Sequence, residues 1–313
     1  MPEARTAFFI GDVALDDYFT AERWPDIADK ALVREAKSYV GGMIANAASV
    51  HAGLGGRTEF ISLLNDSQLS ARLCMALNET GVSTRHMLHD PSLADSRNLI
   101  FLVGDEHVVL IIEMGNQPMQ LTPEALAGLR TPGYLYMSLG RTKRLRAEGL
   151  QGRELLADFR RHGRKLILDL DVDGFSTGDL DYLHSADVLI MNQIGFGHAF
   201  GDIDLAGMNA WMRKHQVGTV IRTLAAAGAE AFDGQGRIEV RGYKVPVIDV
   251  TGAGDTFGGA LTYALGENLS VPEALELAIA AASRAVAIEG PQGGVASLET
   301  IKRFRAEFAR KRS

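Results

Sequence analysis

Asp249-Val-Thr-Gly-Ala-Gly-Asp255 runs on as Thr256-Phe-Gly-Gly-Ala-Leu-Thr-Tyr-Ala-Leu265, and the reading of this stretch decides the fold. Upstream, Val245-Pro-Val-Ile-Asp-Val250 reads as the end of a strand. Downstream, Ala260, Leu261, Ala264 and Leu265 recur at helical spacing, which predicts a helix starting near Ala253. Gly252, Ala253 and Gly254 are small enough for backbone N–H groups to turn outward. The helix N-terminus adds unpaired N–H groups and the positive end of its dipole. Together they form a cup for an anion, suited to phosphate. A carboxylate at the rim, Asp255, would repel a resident phosphate unless it had a chemical task, and taking a proton from an attacking hydroxyl is such a task. The plainer alternative is a strand-to-helix turn with Asp255 as an N-terminal cap.

The full pattern Asp249-x-Thr-Gly-Ala-Gly-Asp-Thr-Phe resembles the C-terminal signature of the PfkB (ribokinase-like) family of carbohydrate kinases. That resemblance implies that Asp255 is the catalytic base, that the amides of Gly252, Ala253 and Gly254 form an anion hole, and that Thr251 lies by the nucleotide. Near the N-terminus, Gly11-Asp-Val-Ala-Leu-Asp16 and Gly41-Gly42 with Asn46 are similar to the same family. There the resemblance implies that Asp12, Asp16, Gly41, Gly42 and Asn46 hold the sugar. The chemistry suits hydroxyls, because a carboxylate accepts two hydrogen bonds and an amide both donates and accepts. Taken singly, Asp12 and Asp16 also read as solvated loop acids, and Asn46 as a cap or core polar residue.

The chain has 313 residues, enough for one large α/β domain or two smaller ones. Its 32 Lys and Arg against 39 Asp and Glu leave a net charge of −7, which argues against nucleic acid or an anionic membrane as the main partner. The single Cys74 excludes an internal disulfide framework, and its apolar neighbours mark it as core packing rather than a nucleophile. No apolar run reaches ~18 residues, and Ala7-Phe-Phe-Ile10 is too short for a secretory segment, so a cytoplasmic protein is expected.

Strands near residues 10, 60, 136, 168, 190 and 220, separated by helices, predict a doubly wound, mostly parallel sheet flanked by helices. Asp12, Asp169, Asp171, Asn192, Thr223 and Asp255 fall at or near strand ends, where ligands bind in such sheets. Gly53-Leu-Gly-Gly56 follows a helix and precedes a strand, so it is a helix stop rather than a dinucleotide turn. Asn98–Val103 and His107–Ile112 flank Gly104-Asp-Glu106, a hairpin signal. With extended pieces in 13–41, this hairpin (about 95–116) predicts a small β-sheet lid on a single 1–313 domain. Such a lid would exclude water and would pair with a second copy, predicting a homodimer. A helix is predicted from about Glu148 to His162. The basic run from Lys302 to Arg312 reads as a solvated helical face.

Several positions depart from the family pattern. Met43 stands where ribokinases proper carry Lys, which argues against ribose itself. Asn192-Gln-Ile-Gly195 places Gly195 where the family commonly has a Glu that helps position Mg²⁺. Asp169 or Asp171 would then supply the missing charge, unless they are strand-end turn acids. Ala225 replaces a Gly in Thr223-Leu-Ala-Ala-Ala-Gly228, and Ser283 lies on a helix that resembles the adenine wall. By resemblance, Asn192, Thr223, Ala225, Gly228, Thr251 and Ser283 line the nucleotide site, ATP with Mg²⁺ is the cofactor, and a monovalent cation such as K⁺ fits between Asp249 and the Gly290-Pro-Gln-Gly-Gly294 loop. The expected activity is phosphorylation of a small carbohydrate. The alternatives are a nucleoside kinase, with Tyr18, Phe19 or Phe101 against the base, and a catalytically weak sugar- or nucleotide-binding protein.

Overall fold

Six short apolar runs become the parallel core of an eight-stranded sheet in the computed structural model, which describes residues 5–104, 106–112, 117–184 and 186–310. From one edge the strands are Arg237–Arg241, Gly228–Phe232, Thr219–Thr223, Val188–Asn192, Arg164–Asp169, Gly133–Ser138, Ala7–Ile10 and Thr58–Ile61. The first two are antiparallel and the rest parallel. Successive side chains of a strand point to opposite faces, and the core divides accordingly. Phe9, Tyr136, Ile167 and Ile190 face one layer of helices: Met43–Gly53, Ala253–Gly266 and Val271–Ala285. Phe8, Ile10, Leu135, Leu166 and Leu168 face the other, which includes Pro123–Leu129, Arg153–Arg161 and Leu205–His215. Carboxyl ends of the parallel strands therefore converge along one rim, and this positions the site.

A buried guanidinium closes the opposite end. Arg164 donates to the carbonyls of Thr6, Gly128, Leu129 and Tyr134 and to Thr131 Oγ1, so one side chain ties five groups together. It has no carboxylate partner among these, and burial pulls its pKa down to about 10.

Outside this layered body, four strands pair in the order Val33–Gly41, Ala14–Ala21, Arg97–Val103 and Glu106–Ile111. Asp16 lies directly across from Tyr39 on one side and Asn98 on the other. Residues 113–116 of the predicted lid segment lie outside the described residues. No described helix is long and apolar enough to cross a membrane.

Three local expectations change. Val245–Val250 is not a strand: Val247, Ile248 and Val250 are exposed, and the Ile248 and Asp249 amides donate to Val286 O instead. The helix expected from Glu148 begins only at Arg153, because Glu148, Gly149 and Gly152 all take positive φ. A helix not anticipated, Gln193–Phe200, follows Asn192, whose side-chain Oδ1 accepts from the amides of Ile194 and Gly195.

Candidate active site

The helix Ala253–Gly266 starts from Gly252 at φ 75, a left-handed conformation. A Cβ on Gly252 would run into Pro291 O, so the position admits only glycine. Thr256 N closes the first turn on Gly252 O at 2.8 Å, and Ala253 N reaches Val250 O at 3.3 Å. Among the described residues the amides of Gly252, Gly254 and Asp255 have no protein acceptor. Of the three amides read as an anion hole, Gly252 and Gly254 are thus free while Ala253 is engaged. The Asp249 carboxylate accepts from Thr251 N and Gly290 N, both at 2.9 Å. Burial would raise its pKa, but those amides outweigh burial and lower it.

Asp255 is the third residue of the helix and makes no cap bond; Gly252 holds the cap position. Its Oδ2 accepts from Asn46 Nδ2 at 2.7 Å, across a sequence separation of 209 residues. The residue keeps a partly exposed edge on the cleft, but its carboxyl is recessed among protein atoms. Burial pushes the Asp255 pKa up to about 7; Asn46 opposes the shift, while Asp169, Asp171 and Asp16 reinforce it. Asp16 therefore faces the same space from the small sheet. Asn46 Oδ1 is buried without a partner, an acceptor left for a ligand or water.

Asp16 Oδ1 accepts from Asn98 Nδ2 at 2.7 Å. Burial raises its pKa, with the Asp17 charge adding and Asn98 opposing. A Cβ on Gly41 would strike Asp16 Oδ2, and one on Gly42, at φ 109, would strike Asp12 O. These glycines let the two acidic segments close on the start of the Asn46 helix. The Asp12 carboxylate is paired with Arg141, just past the end of the Gly133–Ser138 strand.

Behind Asp255, Asp169 is buried and accepts from the Tyr136 hydroxyl and, at 3.1 Å, from Asp171 N. Burial lifts its pKa to about 6 against those two donors. Asp171, at φ 42, accepts from Asn192 Nδ2 at 3.0 Å, and partial desolvation with the Asp173 charge raises its pKa. A Cβ on Gly195 would overlap Asp171 O, so the loop rests on the helix where any side chain at 195 would begin.

Further along the rim, Asn192 and Thr223 are Cα partners at strand ends. Ala225 adopts φ 48 despite its Cβ, in a 3-10 turn closed by Leu224 N to Gly228 O at 2.8 Å. Ser283 Oγ accepts from Tyr243 N at 3.4 Å and borders the same side. Sequence reasoning missed Asn98, Tyr136 and Arg141. The register opposite Asp16 would have pointed to Asn98, whereas no local signal marks the other two.

The rim of an α/β sheet carrying a glycine-opened helix start, a recessed carboxylate and a second acid on the small sheet suits a kinase of the carbohydrate type. A profile of the "pfkB family carbohydrate kinase" matches residues 5–297, and the chain belongs to that family. A ribokinase from Haemophilus influenzae is 26% identical over 277 residues, 84% of this chain and 86% of the relative. An aminoimidazole riboside kinase from Salmonella typhimurium is 25% identical over 269 residues, 80% of this chain and 82% of the relative. The solved structure of Arabidopsis thaliana ribokinase complexed with ribose and ATP superposes with a TM-score of 0.83 at 22% identity, over 96% of this chain and 98% of that one, which establishes the fold.

Proposed function

We propose that this enzyme transfers the γ-phosphoryl group of ATP to a hydroxyl of a small, neutral carbohydrate, with Asp255 as the general base. The carrying observation is the recessed Asp255 carboxylate at the mouth of the open amide nest, bonded to Asn46 and electrostatically coupled to Asp16. Asp16, Gly41, Gly42 and Asn46 orient the acceptor, with Asp12 held by Arg141 at its edge. The acceptor proton passes to Asp255 while the alcohol oxygen forms the new P–O bond and the bond to the leaving diphosphate breaks. The free amides of Gly252 and Gly254 stabilise the charge on the transferring group, with Ala253 shaping the turn between them. Positioning and electrostatics suffice, since no protein nucleophile is required.

Asn192, Thr223, Ala225, Gly228, Thr251 and Ser283 would hold the nucleotide along the rim. ATP with Mg²⁺ supplies the transferable phosphoryl group and a divalent charge on its oxygens. Mg²⁺ would be carried largely by phosphate and water. The carboxylate nearest in kind to that task is Asp171, exposed and held by Asn192, whereas Asp169 is committed to Tyr136. K⁺ would sit by Asp249 and the Gly290 loop. The exposed apolar residues Leu110 and Ile111 on the outer strand support a homodimer through the small sheet.

A riboside acceptor is the second reading. Tyr18 and Tyr39 meet edge to face at 5.6 Å, and Tyr18 senses the Asp16 charge, whereas Phe19 and Phe101 stack on each other and Phe101 meets Trp24. An ATP-coupled assay over sugars, sugar acids, polyols and nucleosides, with Mg²⁺ varied, separates the readings. Absence of acceptor-dependent ADP release across the panel would refute both.

A further inference from the structure

We infer that Asn98 is a second substrate-reading residue, and that Asp16 and Asn98 together select an acceptor presenting two adjacent hydroxyls to the small sheet. This rests on the kinase reading above and names the acceptor's chemistry. The two residues are Cα partners in a parallel ladder, on strands spaced about 4.8 Å apart. An ionised carboxylate only accepts, so the Asn98 amide must turn its NH₂ toward Asp16, as the 2.7 Å bond from Nδ2 records. The amide oxygen is thereby directed away from Asp16, and no described donor reaches it. Asp16 is fixed in place, its Oδ1 bonded to Asn98 and its Oδ2 beside Gly41, where no described donor reaches it. Both side chains are half-buried, and the Asp16 charge is one of those that Asp255 senses.

The surrounding charges narrow the class. Arg97 and Ser38 are spent on Asp17, and Arg141 on Asp12. Neither arginine is left without a carboxylate to meet an anionic acceptor. What the sheet offers is a pair of acceptor atoms side by side, which suits two neighbouring hydroxyl donors of an uncharged polyol.

The test compares wild type, Asn98→Leu and the milder Asn98→Ser on three pairs of acceptors: D-ribose and 2-deoxy-D-ribose, D-glucose and 2-deoxy-D-glucose, adenosine and 2′-deoxyadenosine. Thermal melting checks that each variant folds. The expected result is that Asn98→Leu raises KM for the productive diol about tenfold, the scale of one lost hydrogen bond, with kcat within about threefold. The wild-type preference for the diol over its deoxy partner should shrink by the same factor. Asn98→Ser should fall between. An unchanged diol preference in both variants, or an equal loss of kcat on diol and deoxy acceptors, would overturn the inference while leaving the kinase reading intact. If wild type phosphorylates none of the six, this inference is overturned, while the kinase reading is decided separately by the wider acceptor panel.

Discussion

Replacing Asp255 by Asn should cripple the enzyme and stabilise the protein at once. The carboxyl is recessed among protein atoms, and its pKa rises from 3.8 to about 7 on folding. A group whose pKa is raised in the folded state contributes stability at low pH and loses it as pH climbs from the unfolded to the folded value. At pH 8 both states are ionised, and the difference between 3.8 and about 7 makes the folded-state charge cost roughly 4 kcal/mol, at about 1.36 kcal/mol for each tenfold change in proton affinity. At pH 5 the unfolded carboxyl has titrated and the folded one has not, so the cost is roughly 2 kcal/mol. Asn keeps the shape and still accepts from Asn46, but carries no charge to desolvate. Guanidinium denaturation should thus find Asp255→Asn more stable than wild type at pH 8, with the advantage shrinking by about 2 kcal/mol at pH 5. Turnover should fall by about 10²–10⁴-fold over the same range. A variant no more stable than wild type at pH 8, or one with unchanged turnover, would refute the assignment of a desolvated base.

Other outcomes follow from individual contacts. In wild type, kcat/KM should rise with pH to a plateau above about 7, the value at which burial sets Asp255. Asn46→Leu removes the donor that lowers this pKa, so the acid limb of the kcat/KM profile should move to higher pH. Gly195→Glu should not restore a metal-positioning carboxylate; its Cβ would overlap Asp171 O, so the melting temperature and kcat/KM should both drop. Arg164→Leu removes five hydrogen bonds at the closed end of the sheet, where Gly128 O keeps Thr131 as a donor, and should destabilise the protein by about 3 kcal/mol or more in denaturant titrations.

Much of the layered sheet was legible because its strands are short, buried apolar runs between helical periods. The same rule misled at Val245–Val250, which is equally apolar but has no strand to pair with and stays exposed. Gly228–Phe232 and Arg237–Arg241 escaped notice for the opposite reason: one is rich in small residues, the other alternates with charge. Gln193–Phe200 hid behind Gly195 and Gly197, which count against a helix although its cap, Asn192, is a strong one. Within the site, the glycine-opened helix start could be read from local chemistry. The meeting of Asn46 with Asp255 could not, because nothing within either segment records a contact spanning most of the chain. Arg141 was invisible for a related reason: an arginine after a strand gains meaning only beside Asp12.

Gly258 and Gly259 sit on the Ala253–Gly266 helix one turn after the base, and neither has room for a methyl group. One abuts the Tyr136 hydroxyl, which also serves Asp169, and the other abuts the backbone of the Asn46 helix. Main chain thus rests on main chain at Gly259 and on the Tyr136 side chain at Gly258, which fixes the helix closely beside the point from which Asp255 projects. Variation is easier on the small sheet, where exposed positions can change without moving the Asp255 carboxylate.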